Sequence, residues 1–196
     1  MTEHEFGDLF MRPALIIIDM TKDFVYGKLK CERALNIIPN LKRLIEKFRR
    51  LGLPIIYVSD SHFPVDPEIK IWGEHSMKGS EDAKIIDEIA PEKNDYVLEK
   101  RVYSAFYETG LDLLLRSLGV DTVILTGLHT NICVRHTAAD AFFRGYKIII
   151  PSDAVEAFTE KDHLEGLEYL KKIYNAYITN VDDLLKDLER ELSASR

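Results

Sequence analysis

The sequence predicts an α/β protein: a three-layer α/β/α sandwich around a parallel sheet. Three observations predict it. Short apolar runs alternate with helical patterns along the whole chain. Those runs are continuously apolar, which marks strands covered on both faces. No internal repeat, low-complexity tract or Pro/Gly-rich linker divides the 196 residues, so a single domain spanning 1–196 is expected. Right-handed crossovers then place helices on both sides of the sheet.

The elements follow in order. "ALIII" (14–18) is too short for a helix and reads as a buried strand. Residues 35–51 carry helical periodicity, with Leu41, Leu44, Ile45 and Phe48 on one face and Gly52 placed to end the helix. "PIIYV" (54–58) is the second strand. Residues 59–82 are polar and irregular, longer than an ordinary connector, and loops of that kind are often functional. "DYVLE" (95–99) is the third strand. A helix over 109–119 follows, with Thr109 as its N-cap and Gly119 closing it. "DTVILT" (121–126) is the fourth strand, followed by a helix from about Asn131 to Gly145. "KIIIP" (147–151) is the fifth strand, 160–172 a helix, "NAYIT" (175–179) the sixth strand, and 181–192 a final amphipathic helix.

Composition narrows the function. Apolar residues make up 46% and charged residues 30%, and the formal net charge is -7. Diffuse acidity argues against nucleic acid or an anionic membrane as partner, since both favour basic patches. No run of ~18 apolar residues exists to cross a bilayer. The acidic start, "MTEHEFGDLF", has no signal-peptide core, so a cytoplasmic location is expected. Two cysteines, Cys31 and Cys133, are too few for a disulfide framework. The chain lacks glutamine and is rich in Glu, Lys and Arg, a thermophile-like bias.

In parallel α/β sheets the site lies beyond the carboxyl ends of the strands, so the residues there decide function. Asp19 follows the first strand, Asp60 and His62 the second, Lys100 the third, and His129 and Cys133 the fourth. A free cysteine is commonly just a small buried hydrophobe. Cys133, however, sits in a first helical turn, where the helix dipole and unpaired amides lower a thiol pKa and can hold an oxyanion. Cys31 lies in a polar loop and has no such setting. Asp19 either caps a turn or takes the thiol proton. Lys100 is either a solvated lysine or the group that keeps Asp19 ionised. Asp60, His62 and His75 are three borderline ligands that suit zinc, iron or manganese, although hydrated loop histidines are common. No P-loop, dinucleotide or G-x-S-x-G motif is present.

Three motifs carry a family resemblance: "LIIIDMTKDF" (15–24), "LEKRVYSAF" (98–106) and "TGLHTNICVRHTAADAFFRGY" (126–146). Over about residues 12 to 180 the chain resembles the isochorismatase-like cysteine hydrolases, the group that includes nicotinamidases and N-carbamoylsarcosine amidases. The resemblance implies a six-stranded parallel sheet of order 3-2-1-4-5-6 and an Asp-Lys-Cys triad on Asp19, Lys100 and Cys133. It implies an oxyanion hole from the backbone amides of His129 and Cys133, and a cis peptide at Leu128-His129. The nicotinamidase branch adds a metal, most simply zinc, on Asp60, His62 and His75. It also adds ring-binding aromatics, here Phe24 and Trp72, and Tyr103 joins them as a candidate substrate contact. Typical nicotinamidases continue D-x-H-P-x-x-H-x-S-F, whereas this chain reads "DSHFPVDPEIKIWGEH". That departure bears on the substrate more than on the hydrolase chemistry.

The resulting expectation is a cysteine amidohydrolase that cleaves a small amide through a thioester, nicotinamidase-like. Hydrolysis of an N-carbamoyl amide or of an isochorismate-type vinyl ether is the alternative within enzymes. The alternative outside them is a catalytically silent domain that binds a metal or a partner. Family members are often dimers or tetramers, so a homo-oligomer is expected. The stripe Leu184, Leu185, Leu188 and Leu192 serves either the core or a subunit seam.

Overall fold

The structure, a computed structural model, describes residues 12–194, with side chains described to residue 190. The acidic start of the chain and the side chain of Leu192 lie outside those limits. The strands are β1 (Pro13–Ile18), β2 (Ile55–Asp60), β3 (Tyr96–Lys100), β4 (Thr122–Leu128), β5 (Lys147–Pro151), β6 (Val155–Glu156) and β7 (Tyr177–Thr179). The helices are α1 (Lys22–Tyr26), α2 (Ala34–Leu51), α3 (Ile69–Trp72), α4 (Leu111–Ser117), α5 (Cys133–Phe143), α6 (Glu160–Tyr174) and α7 (Val181–Ala194).

The sheet runs β3-β2-β1-β4-β5-β7, and every strand pair in it is parallel. β7 is the sixth strand of the sequence prediction, so the expected order holds. The seventh strand, β6, pairs with β4 through Gly127 and Leu128 and was not anticipated, because two residues carry no periodic signal. Alternate residues of β1 feed the two cores. Leu15 and Ile17 pack toward α2 and α7, while Ala14, Ile16 and Ile18 pack toward α4 and α5. Each such Leu or Ile contributes roughly 1.5–3 kcal/mol by leaving water. Leu184 and Leu188 are buried in the α2-side core, with Leu185 packed against it, so the described part of the C-terminal stripe serves the core.

Two local predictions need correction. Thr109 is not the N-cap of α4; that place is taken by Gly110, at φ 78°. The Thr109 hydroxyl instead donates to the Ala105 carbonyl and accepts from the Leu111 amide, closing a turn just before the helix. Residues 59–82 are not wholly irregular, since α3 lies within them and His62 bridges to Met77.

One glycine positions the site. At Gly127 (φ 94°) a Cβ would lie 2.0 Å from the Ile18 carbonyl oxygen. Only glycine lets β4 press against the end of β1 there. Asp19 and the loop that leads to Cys133 therefore leave the sheet side by side.

Candidate active site

Four segments meet at the carboxyl ends of β1 to β4. Asp60 and Lys100 are the last residues of β2 and β3, and the sheet register pairs them directly. Asp19 follows β1 at φ 53°, a left-handed conformation that Asp tolerates better than most residues. Its Oδ1 accepts from the Asp60 amide at 2.9 Å. Lys100 Nζ lies 2.8 Å from Asp19 Oδ2, donates to Asp60 Oδ1 at 2.5 Å and reaches Cys133 Sγ at 3.7 Å. None of the four side chains is more than 3% exposed in residue terms. The structure therefore brings Asp19, Lys100 and Cys133 together, and it adds Asp60 as a second carboxylate on the same ammonium.

Electrostatics corrects one sequence expectation. Burial pushes the Cys133 thiol well above its ordinary pKa; Lys100 opposes this and does not reverse it. Burial of the sulfur thus works against the lowering expected from a helix N-terminus. Burial, then Asp60, raises the Asp19 pKa to about 6 against the pull of Lys100. A carboxylate of that basicity is mostly ionised at neutral pH and still basic enough to take a proton. Burial works against charge on Asp60, but Lys100 and His62 outweigh it and lower its pKa to about 2.

The loop before the thiol contains the cis peptide that the resemblance implies, at Leu128-His129. The His129 carbonyl accepts from the amides of Ile132 and Val134, which turns the chain into α5. Cys133 opens that helix, so its own amide belongs to the first turn, which has no partner within the helix. The His129 imidazole is buried and neutral, its pKa lowered to about 4 by burial. It stacks on Phe158 at 4.1 Å and meets Phe24 edge-on at 5.3 Å.

Beside the thiol lies a group of possible metal ligands. One ligand atom from each of Asp60, His62, Glu68 and His75 falls within 4.8 Å of the others. His62 Nε2 is 3.4 Å from Asp60 Oδ2 and 3.9 Å from Glu68 Oε2, and His75 Nε2 is 3.9 Å from Asp60 Oδ2. Asp60 Oδ2, His62 Nε2 and Glu68 Oε1 are buried without a hydrogen bond among the described residues. Buried polar atoms seldom go unmatched, and two carboxylates facing two imidazoles suit a small divalent cation. The residues present therefore fit a metal. Glu68 was missed at the sequence level, where a glutamate in a polar loop is indistinguishable from a solvated one. Without a cation, burial, then Asp60, raises its pKa to about 8. A clamp holds the far end of this loop: Asp23 accepts the Lys28 amide on one oxygen and the Ser76 amide on the other, both at 2.7 Å.

Phe24, Trp72 and Tyr103 line one pocket together with Cys133, Asp60, Glu68 and His75. His129 also lines it, as do Phe158, Ile132 and Leu29, which were not anticipated there. Trp72 Nε1 donates to the Tyr103 hydroxyl at 3.1 Å, and the Trp72 ring lies 6.1 Å from Phe158. The rings touch one another, leaving about 10 Å³ open to the centre of a water molecule. That is room for about one water.

Known proteins share this fold and part of this sequence. The model of the isochorismatase domain matches residues 13–183. The N-carbamoylsarcosine amidase structure from Thermoplasma acidophilum is 49% identical, with a TM-score of 0.84, covering 88% of this chain and 98% of that one. The nicotinamidase/pyrazinamidase PncA structure from Bacillus subtilis is 34% identical at a TM-score of 0.82, covering 87% and 100%. The pyrazinamidase of Pyrococcus horikoshii, solved in complex with zinc, is 28% identical at 0.80, covering 86% and 99%. This chain belongs to the isochorismatase family of hydrolases.

Proposed function

We propose that this protein is a cysteine amidohydrolase that cleaves a small amide through a thioester, with nicotinamidase-like machinery. The observation that carries this reading is the buried contact set in which Lys100 touches Asp19, Asp60 and Cys133, the last two of which line a pocket. A silent domain has no use for a dry thiol, a carboxylate near pKa 6 and an ammonium in mutual reach. Isochorismate-type hydrolysis of a vinyl ether needs no cysteine nucleophile.

The chemistry follows from these positions. Asp19 takes the Cys133 proton as the sulfur attacks the amide carbon. Lys100 stabilises the charge that this transfer moves about. The backbone amides of His129 and Cys133 receive the developing oxyanion. Protonated Asp19 then gives its proton to the departing ammonia. Water enters, Asp19 deprotonates it, and hydrolysis of the thioester releases the acid and restores the thiol. Asp60, His62, Glu68 and His75 would hold one divalent ion, zinc in this reading. When bound, that ion supplies a Lewis-acidic anchor for a polar atom of the substrate.

Two observations bear on the substrate. The pocket's aromatic lining favours a flat amide. Admitting such a ring requires some of these side chains to move. The 49% identity to the N-carbamoylsarcosine amidase of Thermoplasma acidophilum instead favours the second reading, a carbamoyl compound. Ammonia release from nicotinamide, pyrazinamide, carbamoyl amino acids and aliphatic amides separates the two. Silence across the whole panel by metal-loaded protein would sink the amidohydrolase reading. A cytoplasmic homo-oligomer remains part of the proposal. Light scattering that gives a monomer mass at micromolar concentration removes the oligomer. Among the described residues no helix is long and apolar enough to cross a membrane.

A further inference from the structure

The segment "FPVDP" between His62 and α3 is where this chain departs from the nicotinamidase pattern, and the hydrolytic scheme gives it no task. Asp66 in that segment is only 2% exposed. Its Oδ2 accepts from the Phe63 amide at 2.9 Å and faces His62 Nδ1 at 3.3 Å. Arg101 grips the same carboxylate: Nε lies 3.1 Å from both oxygens, and Nη2 bonds Oδ1. The guanidinium also lies over the Phe63 ring, 4.5 Å from its centre. Arg101 directly follows Lys100, so this pair ties the loop to the strand end that carries the triad lysine.

A carboxylate paired with Arg101 stays ionised and only accepts hydrogen bonds. Asp66 can only accept, so Nδ1 is assigned as the donor of the neutral ring. Nε2 faces the Asp60 carboxylate at 3.4 Å, where a cation would take the place that a proton could otherwise fill. Nε2 is the atom that points to Asp60 and Glu68 and has no hydrogen bond among the described residues. His75 is held the same way, by a backbone oxygen: its Nδ1 lies 2.7 Å from the Gly73 carbonyl.

We propose that Asp66, anchored by Arg101, is a positioning residue that holds His62 in the tautomer and orientation able to capture a metal ion. The proposal rests on the metal reading above. A carboxylate behind a metal-bound histidine raises the ring's basicity and removes the freedom to rotate, and losing one typically weakens binding about 10–100-fold. Asp66 adds no fifth ligand, because its oxygens are spent on Arg101, Phe63 and His62.

The test uses the whole chain, stripped of metal and titrated with zinc against a chromogenic chelator. Asp66→Asn should weaken zinc binding at least about tenfold. Arg101→Leu, which leaves the carboxylate but removes its anchor, should weaken it by less. Long-range proton–nitrogen NMR at alkaline pH should show His62 protonated on Nδ1 in the metal-free wild type and no longer fixed so in Asp66→Asn. Zinc affinity within twofold of wild type in Asp66→Asn would overturn the proposal. So would a wild-type His62 protonated on Nε2. Should the wild type bind no zinc, the metal part of the proposed function fails. The tautomer then decides whether Asp66 positions the ring. A purely structural salt bridge would lower the melting temperature of Asp66→Asn while leaving tautomer and affinity in place, and that outcome also counts against the proposal.

Discussion

Cys31 and Cys133 are both buried, at 0% and 3% exposure, and burial pushes both thiols above their ordinary pKa. Their surroundings differ. Cys31 lies between α1 and α2 in the apolar core and donates to the Ala157 carbonyl at 3.2 Å. Cys133 faces a pocket, with an ammonium at 3.7 Å and the Asp19 carboxylate on the same ammonium. Thiol acidity therefore does not single out the nucleophile here. What distinguishes the two is a base within reach and a cleft to admit a carbonyl.

The largest effect tests this contrast directly. Cys133→Ala should lower kcat by at least about a thousandfold, because the covalent route is lost. Cys31→Ala should leave kcat within about twofold, as expected for a substitution remote from the reacting atoms. A Cys133→Ala enzyme that keeps a tenth of wild-type kcat on any amide would erase the distinction.

Next in size are Asp19→Asn and Lys100→Met. Each should cost nearly as much as losing the thiol, and neither should add to Cys133→Ala, because groups that act as a unit are not additive. Full additivity in the double variants would mean that the three residues work separately.

The pH profile gives a smaller effect that sharpens the comparison. Asp19 must be ionised to act as base, and its pKa is raised to about 6. The rate kcat/KM should therefore fall below about pH 6, by about tenfold per unit, and level off above it. An acid limb near an ordinary carboxylate pKa of about 3.9 would remove Asp19 from the base role.

The smallest effect concerns stability. Cys31→Ala should lower stability by about 1 kcal/mol through lost packing, read from a urea melt. In the native wild type a small alkylating reagent should label Cys133 before Cys31. The reverse order would show that the cleft does not expose the sulfur.

The strands and the residues at their carboxyl ends were largely legible in the sequence, and the strand order followed from the family resemblance. Continuous runs such as "ALIII" and "KIIIP" state a doubly covered strand locally, and Gly52 states a helix end locally. Asp19, Lys100 and Cys133 could be read because each lies at a strand end or helix start inside a recognisable motif. The metal residues were read in part. The D-x-H pair is a local signal, whereas Glu68 joins it only through the path of a loop.

Local pattern sufficed for the alternation of strands and helices, the parallel character of the sheet and the chemical types at the site, because these depend on neighbours along the chain; the strand order came only with the family resemblance. The tertiary structure decided what depends on neighbours through space. Sheet register set Asp60 beside Lys100, so one ammonium serves two carboxylates. Complete burial, which no residue announces by itself, reversed the expected direction of the Cys133 pKa. Pairing across the sheet made a strand of Val155 and Glu156, too short to show a period. Folding also brought Arg101 onto Asp66 and so turned a departure from a familiar motif into a hold on His62.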